Sequence, residues 1–373
     1  MIRLDCGESG AIVRRRLHTQ RLTGAGFAHP EDVVGWLGAV QAQDYGASKW
    51  AVGMRQGRAS DAAVERAFAE GRILRTHVLR PTWHFVLPAD IRWLLTATAP
   101  RIQAGNAGRY RQLGLDADTL RRGEKLIAGA LRSGDQLTRQ ELADVLAAAG
   151  IAVDGQRLPH LLMNAELNAV ICSGARRGLQ QTYALLDERA PDARDLPREE
   201  ALAEFARRYF ASHGPATAKD FATWASLTLA EVKSSVEAAG CSLRREEIGS
   251  VAFWSGADQV ARTPALRSPA VRLVQGYDEY LMGYTETKGV LARPGTRWVP
   301  ATPPVFALVV LRDGRVAGFW KRTLRRHEVL VEAALLEPFD DAQTRKLEQE
   351  AARYGAFIGL DARVVLTAAG DLR

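Results

Sequence analysis

Cysteine and lysine are the scarce residues of this 373-residue chain. The three cysteines (Cys6, Cys172 and Cys241) are odd in number and far apart. That fits neither a disulfide framework nor the paired spacing of a zinc site, so no metal and no cofactor is expected. No run reaches the roughly 18–20 apolar residues of a membrane span, and the opening MIRLDCGESG lacks the apolar core of a signal peptide. A cytoplasmic protein without membrane attachment is the expectation. Gly-x-Ser-x-Gly elbows and Gly-Lys-Ser/Thr phosphate loops are missing too, which removes the sequence support for serine-hydrolase and P-loop chemistry.

What the chain has instead of lysine is arginine. Only seven of its 50 basic residues are lysines, scattered from Lys49 to Lys346, and the formal net charge is +7. Scattered lysines pick out no Schiff-base nucleophile. Arginine's planar fork pairs with phosphate through two hydrogen bonds, so the balance favours polyanionic partners. A base-composition bias that merely solvates the surface would give the same count. At 47% hydrophobic and 25% charged the chain is an ordinary globular one. Its length exceeds a single core of about 100–150 residues, and two to four domains are expected.

The pattern of elements repeats. A basic helix over 14–22 and a helix opened by Pro30-Glu31-Asp32 precede a polar interruption, Gln41 to Ser48, before helical character resumes at Trp50. Ser60-Asp61 caps a helix through Glu70, and Ile73 to Leu79 and Trp83 to Val86 read as a hairpin turned at Pro81. Helices followed by a two-stranded ribbon are the order of a winged helix. A second copy has a capping box at Thr138-Arg139-Gln140-Glu141, a helix from about Leu158, and strands at Ile171–Gly174 and Gln180–Leu186. A third runs from Glu199 through helices at Thr217 and Thr228 to a ribbon over 242–254. Beyond Ser268 come short runs at 297–300, 305–312, 315–321 and 328–333, with Asp313-Gly314 as a hairpin signal. A helix over 340–354 and a closing strand over 361–366 follow. The expected fold is α+β: winged-helix units over 10–100, 101–189 and 190–267, then a linker and small C-terminal β-barrel over 268–373, C-shaped overall.

Several segments, in order along the chain, resemble the AlkZ-like family of bacterial winged-helix DNA glycosylases. They are Val40-Gln41-Ala42-Gln43-Asp44, the stretch from Thr76 to Val86, Asn164-Ala165-Glu166-Leu167, Gln181-Thr182-Tyr183-Ala184-Leu185, Gly214-Pro215-Ala216-Thr217 with Asp220-Phe221, and Tyr277-Asp278-Glu279-Tyr280-Leu281 with Gly283-Tyr284. No single match is as specific as the set. The resemblance implies excision of N7-alkylated purines from double-stranded DNA, including interstrand crosslinks in some members. It also places the catalytic signature at Gln41-Ala42-Gln43, the Gln-x-Gln form of the crosslink-unhooking branch. That branch includes self-resistance enzymes of producers of DNA-alkylating antibiotics.

The chemistry is coherent on its own terms. Breaking a C1′–base bond passes through an oxocarbenium-like sugar. An N7-alkylguanine already carries a formal positive charge, so its departure needs no strong general acid. What remains is to place water beneath C1′ and to stabilise the sugar cation. A glutamine carbonyl can do both, with Gln43 holding the water and Gln41 assisting, but glutamine is not a true base. A lone Gln-x-Gln is weak evidence, because amides also satisfy backbone groups at polar junctions. Asp44 is the rival base, or a capping residue. His77 and His84 on the first hairpin either act at the site or contact DNA, or serve the core. Arg75, Arg80, Arg322 and Arg325 are candidate phosphate contacts, and solvated surface arginines otherwise. Trp83 is read as core, and Tyr277-Asp278-Glu279-Tyr280 as a structural bridge. The expected enzyme is a monofunctional, monomeric glycosylase for bulky or crosslinking N7-alkylguanine adducts in duplex DNA. The alternatives are a non-catalytic winged-helix regulator and a hydrolase of small modified nucleosides.

Overall fold

In the computed structural model, residues 4–259, 270–293 and 308–367 are described. Helices start where short polar side chains meet free backbone N–H groups. Asp5 caps α1 (Cys6–Thr19), with Glu8 returning the bond in a capping box, and Pro30 opens α2 (Pro30–Leu37). A two-residue strand, β1 (Val40–Gln41), precedes α3 (Tyr45–Gly53) and α4 (Asp61–Ala69). The hairpin β2 (Leu74–Val78) and β3 (Thr82–Val86) follows. In the sheet, β1 lies outside β3 in the order β1-β3-β2, and Gln41 sits opposite His84.

Long helices α5 (Ile91–Gln112) and α6 (Ala117–Ala130) lead to β4 (Leu137–Thr138), α7 (Arg139–Ala148), α8 (Arg157–Leu167), β5 (Ile171–Ser173) and β6 (Thr182–Leu185). The order β4-β6-β5 repeats that of the first sheet. After α9 (Leu186–Arg189), the helices α10 (Arg198–His213), α11 (Ala218–Ala225) and α12 (Leu229–Ala239) precede the ribbon of β7 (Leu243–Ile248) and β8 (Val251–Gly256). Helix groups closed by a ribbon therefore recur three times.

The C-terminal part departs from expectation. Strands β9 (Val271–Val274), β10 (Leu308–Arg312), β11 (Arg315–Leu324), β12 (Glu328–Leu335) and β13 (Asp361–Thr367) form one open sheet in the order β13-β12-β11-β10-β9. Among the described residues no barrel closes. The reason is the last connection. After the short helix α13 (Glu279–Met282) and the β10–β12 meander, α14 (Asp341–Ile358) carries the chain over the sheet. It sets β13 parallel to β12, leaving β9 and β13 at opposite edges. The strand expected over 297–300 lies outside the described residues.

Three apolar clusters organise these elements. One joins α1–α4 and the first hairpin to the C-terminal sheet, with Trp50, Tyr280, Trp320 and Phe357 at its centre. The second is built around α5 and α10, and the third around α6–α8. Close approach holds the first together: a Cβ on Gly53 would stand 2.5 Å from the Phe357 ring, so α3 packs against α14 only with glycine there. The fit fixes the C-terminal end of α3 against α14.

Candidate active site

The loop after β1 has no counterpart in the second ribbon unit. There, β4 ends on Thr138, which itself caps α7. In the first unit three more residues intervene: β1 ends on Gln41, Ala42 and Gln43 follow, and Asp44 is the cap of α3. Asp44 accepts the Ala47 N–H at 3.0 Å, so its carboxylate is engaged in ending the loop. Ala42 keeps the loop against the hairpin through its N–H to the Trp83 carbonyl, 2.7 Å.

The two glutamines are held differently. Gln41 is buried. Its N–H donates to Glu279 Oε1 at 3.0 Å, its carbonyl accepts the Ser48 hydroxyl at 2.9 Å, and its side-chain Oε1 accepts from Arg80 Nη2 at 2.9 Å. Gln43 is exposed. Its Oε1 lies 3.4 Å from the Trp83 N–H, a long contact that leaves a lone pair for water. Gln43 thus presents an amide to solvent beside a half-buried indole, because Trp83 is not the core residue its sequence context implies. The Arg75 guanidinium stacks on the Trp83 ring at 4.3 Å, and the His77 ring lies 4.5 Å away.

The other expected site residues differ in burial and in partners. Arg75 is buried and donates to the Ala42 carbonyl at 3.0 Å. His77, also buried, meets Glu166 Oε2 at 2.5 Å. Arg80 is half-buried and bonds Gln41 and the Trp224 carbonyl. These three side chains serve the framework and are not free phosphate contacts. Arg322 reaches in from β11: Nη1 donates to the Tyr354 hydroxyl at 2.7 Å, and Nη2 stands 3.8 Å from where a Cβ on Gly46 would be. Arg325 lies farther along the same strand's turn, half-exposed and paired with Glu328. Burial, with the charge of Asp44 adding to it, raises the pKa of the Tyr277 hydroxyl.

Beneath Gln41 lies a buried polar floor. His84 is fully enclosed, so it cannot reach DNA. Its Nδ1 contacts the Thr82 carbonyl at 2.9 Å, and Nε2 faces Arg80 at 3.5 Å. A carbonyl only accepts, so Nδ1 carries the proton. Burial first, then the Arg80 charge, push this histidine from its ordinary 6.5 down to about 3. Burial also lowers His213, whose Nε2 is 3.5 Å from Glu279 Oε2. Glu279 accepts the Trp224 indole N–H at 2.7 Å as well. Burial alone would raise its carboxyl, but the contact with His213 and the charge of Arg80 outweigh this and hold it at about 2. It is ionised. Glu279 was legible only as part of a structural motif; no spacing in the sequence says that it holds Gln41.

These shifts fix a pH dependence. A histidine whose folded pKa is depressed stays neutral while its unfolded counterpart protonates, so its contribution is present above pH 6.5 and lost as pH falls from there toward 3. Glu279 adds a loss lower down, from about 4.5 toward 2. Thermal midpoints should therefore decline already between pH 7 and 5, where ordinary carboxylates do not titrate. His84→Asn, which cannot titrate, should make that decline shallower by up to about 1.4 kcal/mol per pH unit. Parallel wild-type and variant profiles across this window would contradict the buried neutral assignment.

The family described as DNA glycosylase AlkZ-like matches residues 34–357. The chain belongs to the AlkZ-like DNA glycosylases. It is similar to the interstrand DNA cross-link repair glycosylase of Streptomyces sahachiroi, 28% identical over 346 residues, covering 88% of this chain and 91% of that protein. The solved structure of the Streptomyces sahachiroi DNA glycosylase AlkZ shares the fold. Its TM-score is 0.79 at 24% identity, over 95% of this chain and 99% of that one. This AlkZ-like chain is an enzyme, a DNA glycosylase, which sets aside the regulator and the small-molecule hydrolase. Among its described residues no helix is long and apolar enough to cross a membrane.

Proposed function

We propose that this glycosylase hydrolyses the N-glycosidic bond of bulky or crosslinking N7-alkylguanine adducts in duplex DNA, as a cytoplasmic monomer. Gln43 holds the attacking water and turns its carbonyl dipole toward the developing sugar cation. Gln41 supports it from below. The helix groups and their ribbons act as tandem winged-helix units of a C-shaped body around the duplex. In this reading Arg322 and Arg325 grip the DNA backbone without reading sequence. The chemistry ends at the abasic site, as in a monofunctional enzyme. The same activity on a secreted alkylating agent's adducts would serve self-resistance.

One observation carries this reading. Gln43 presents its amide to solvent, and the adjacent Asp44, exposed as well, has its Oδ1 bound to the Ala47 N–H of its own helix. An amide can orient water but cannot take its proton, so the leaving base must already be activated. That restricts the enzyme to lesions with a formal positive charge. The test offers duplexes carrying either an N7-alkylguanine or an uncharged lesion, such as uracil or an etheno-adenine. Base release is expected from the cationic lesion alone. Comparable release of the uncharged bases would require a true acid or base and would overturn the proposal.

A further inference from the structure

Gln41 ends a strand of only two residues. A two-residue strand is too short to hold its own register, because a single hydrogen-bonded pair leaves it free to slip or fray. Yet Gln41 is tied from three sides, by two groups remote in sequence and one from the start of α3. Glu279, 238 residues away, accepts its N–H, Arg80 donates to its side-chain carbonyl, and Ser48 donates to its backbone carbonyl. Glu279 is fully buried, and its second oxygen is occupied by the Trp224 indole. Arg80 is anchored in turn on the Trp224 carbonyl. Glu279 and Arg80 therefore bear on Gln41 as one unit, fixed through a shared tryptophan on α11.

We infer that Glu279 and Arg80 are positioning residues, a buried clamp on Gln41 that sets where Gln43 stands relative to the DNA. This rests on the role proposed for Gln43. The clamp also accounts for glutamine at position 41. An asparagine carbonyl would fall short of Arg80 by a methylene, and an aliphatic side chain would leave the guanidinium without that acceptor. Charge is balanced at the same place. The ionised Glu279 offsets the charge of Arg80 beneath Gln41. Because the clamp touches Gln41 and not substrate, its loss should displace the water-holding amide without weakening the hold on DNA. Misplacement on the order of 1 Å costs about 10²-fold in rate.

The experiment uses the full-length protein and duplex DNA with a defined N7-alkylguanine, measuring single-turnover base release at saturating enzyme alongside the Kd for the same duplex. Glu279→Gln and Arg80→Met are expected to slow release by about 10–100-fold while Kd changes by no more than about twofold. The double variant should be no slower than the worse single one, because both act through Gln41. Arg208→Met, which breaks the Asp90 pair between α5 and α10 and shares no partner with Gln41, serves as the control for loss of a buried ion pair and should keep the wild-type rate. If Glu279→Gln cannot be obtained folded, Arg80→Met alone decides, since its side chain is only half-buried. Wild-type rates in the folded clamp variants would overturn the inference. So would losses that scale with melting temperature equally in Arg208→Met, or additive losses in the double variant. Absence of release by the wild-type protein is a separate result: it would fell the function proposed above, and the clamp with it.

Discussion

Replacing Gln43 with alanine should lower single-turnover release of an N7-alkylguanine by about 10²–10³-fold, with duplex affinity nearly unchanged. A preorganised dipole aimed at developing charge contributes roughly 2.7–4 kcal/mol when it is removed from comparable sites. Gln43 is exposed, and its side-chain hydrogen bond among the described residues is long, 3.4 Å to the Trp83 N–H. Truncation therefore leaves no buried partner unsatisfied, and the fold should be unaffected. That separates it from Gln41→Ala, which strips an acceptor from Arg80 and should cost stability along with rate. Asp44→Asn provides the contrast. If Asp44 were the base, this variant would be the slow one. As a cap it should lose at most about 1 kcal/mol of stability and keep most of its activity.

The second large effect is on folding. Asp278→Ala should destabilise the protein by about 3–5 kcal/mol, because it strands a buried guanidinium. Arg55 and Asp278 are both fully buried and joined by two bonds of 2.7 and 2.8 Å. The remaining Arg55 donors go to the Gln20 backbone carbonyl, the Gln20 side chain and the Ala51 carbonyl. The pair thereby ties the end of α1, the body of α3 and the turn into α13 at one point. A loss of that size is a large share of the 5–15 kcal/mol that stabilises a typical domain. Urea denaturation should show it as a fall in midpoint, or the variant should not accumulate as folded protein. The paired replacement Arg55→Met with Asp278→Leu removes both charges and should cost less than Asp278→Ala alone. Equal or greater cost would mean that the bonds to Gln20 and Ala51, not the ion pair, dominate.

The local chemistry of the sequence carried much of the architecture. Capping boxes at Thr138, Thr217 and Thr228 begin helices α7, α11 and α12, and the ribbons over 73–86, 171–186 and 243–256 pair as the alternation implied. Strand β1 was not legible, because two residues have no periodicity. It is a strand only because β3 offers it an edge. The polar stretch from Gln41 to Ser48 looked like a break between helices, yet Tyr45 already opens α3. Short C-terminal strands suggested a barrel; whether such strands close depends on how the last one returns, and α14 returns it in parallel. At the site, the residue types were legible through family resemblance, but their depth was not. Nothing in Gln-Ala-Gln says that the first amide is buried on Arg80 and the second faces solvent. Likewise, His84 looked as available as any hairpin residue until the β1 edge and the floor around Glu279 enclosed it.

The most direct test of the central claim is single-turnover incubation of the wild-type protein with two duplexes, one bearing a defined N7-guanine monoadduct and one a crosslink between two N7-guanines. The account predicts free alkylated guanine from the first, unhooking of the second, and an intact strand carrying an abasic site in both. Tight binding to both duplexes with no base released from either would contradict it.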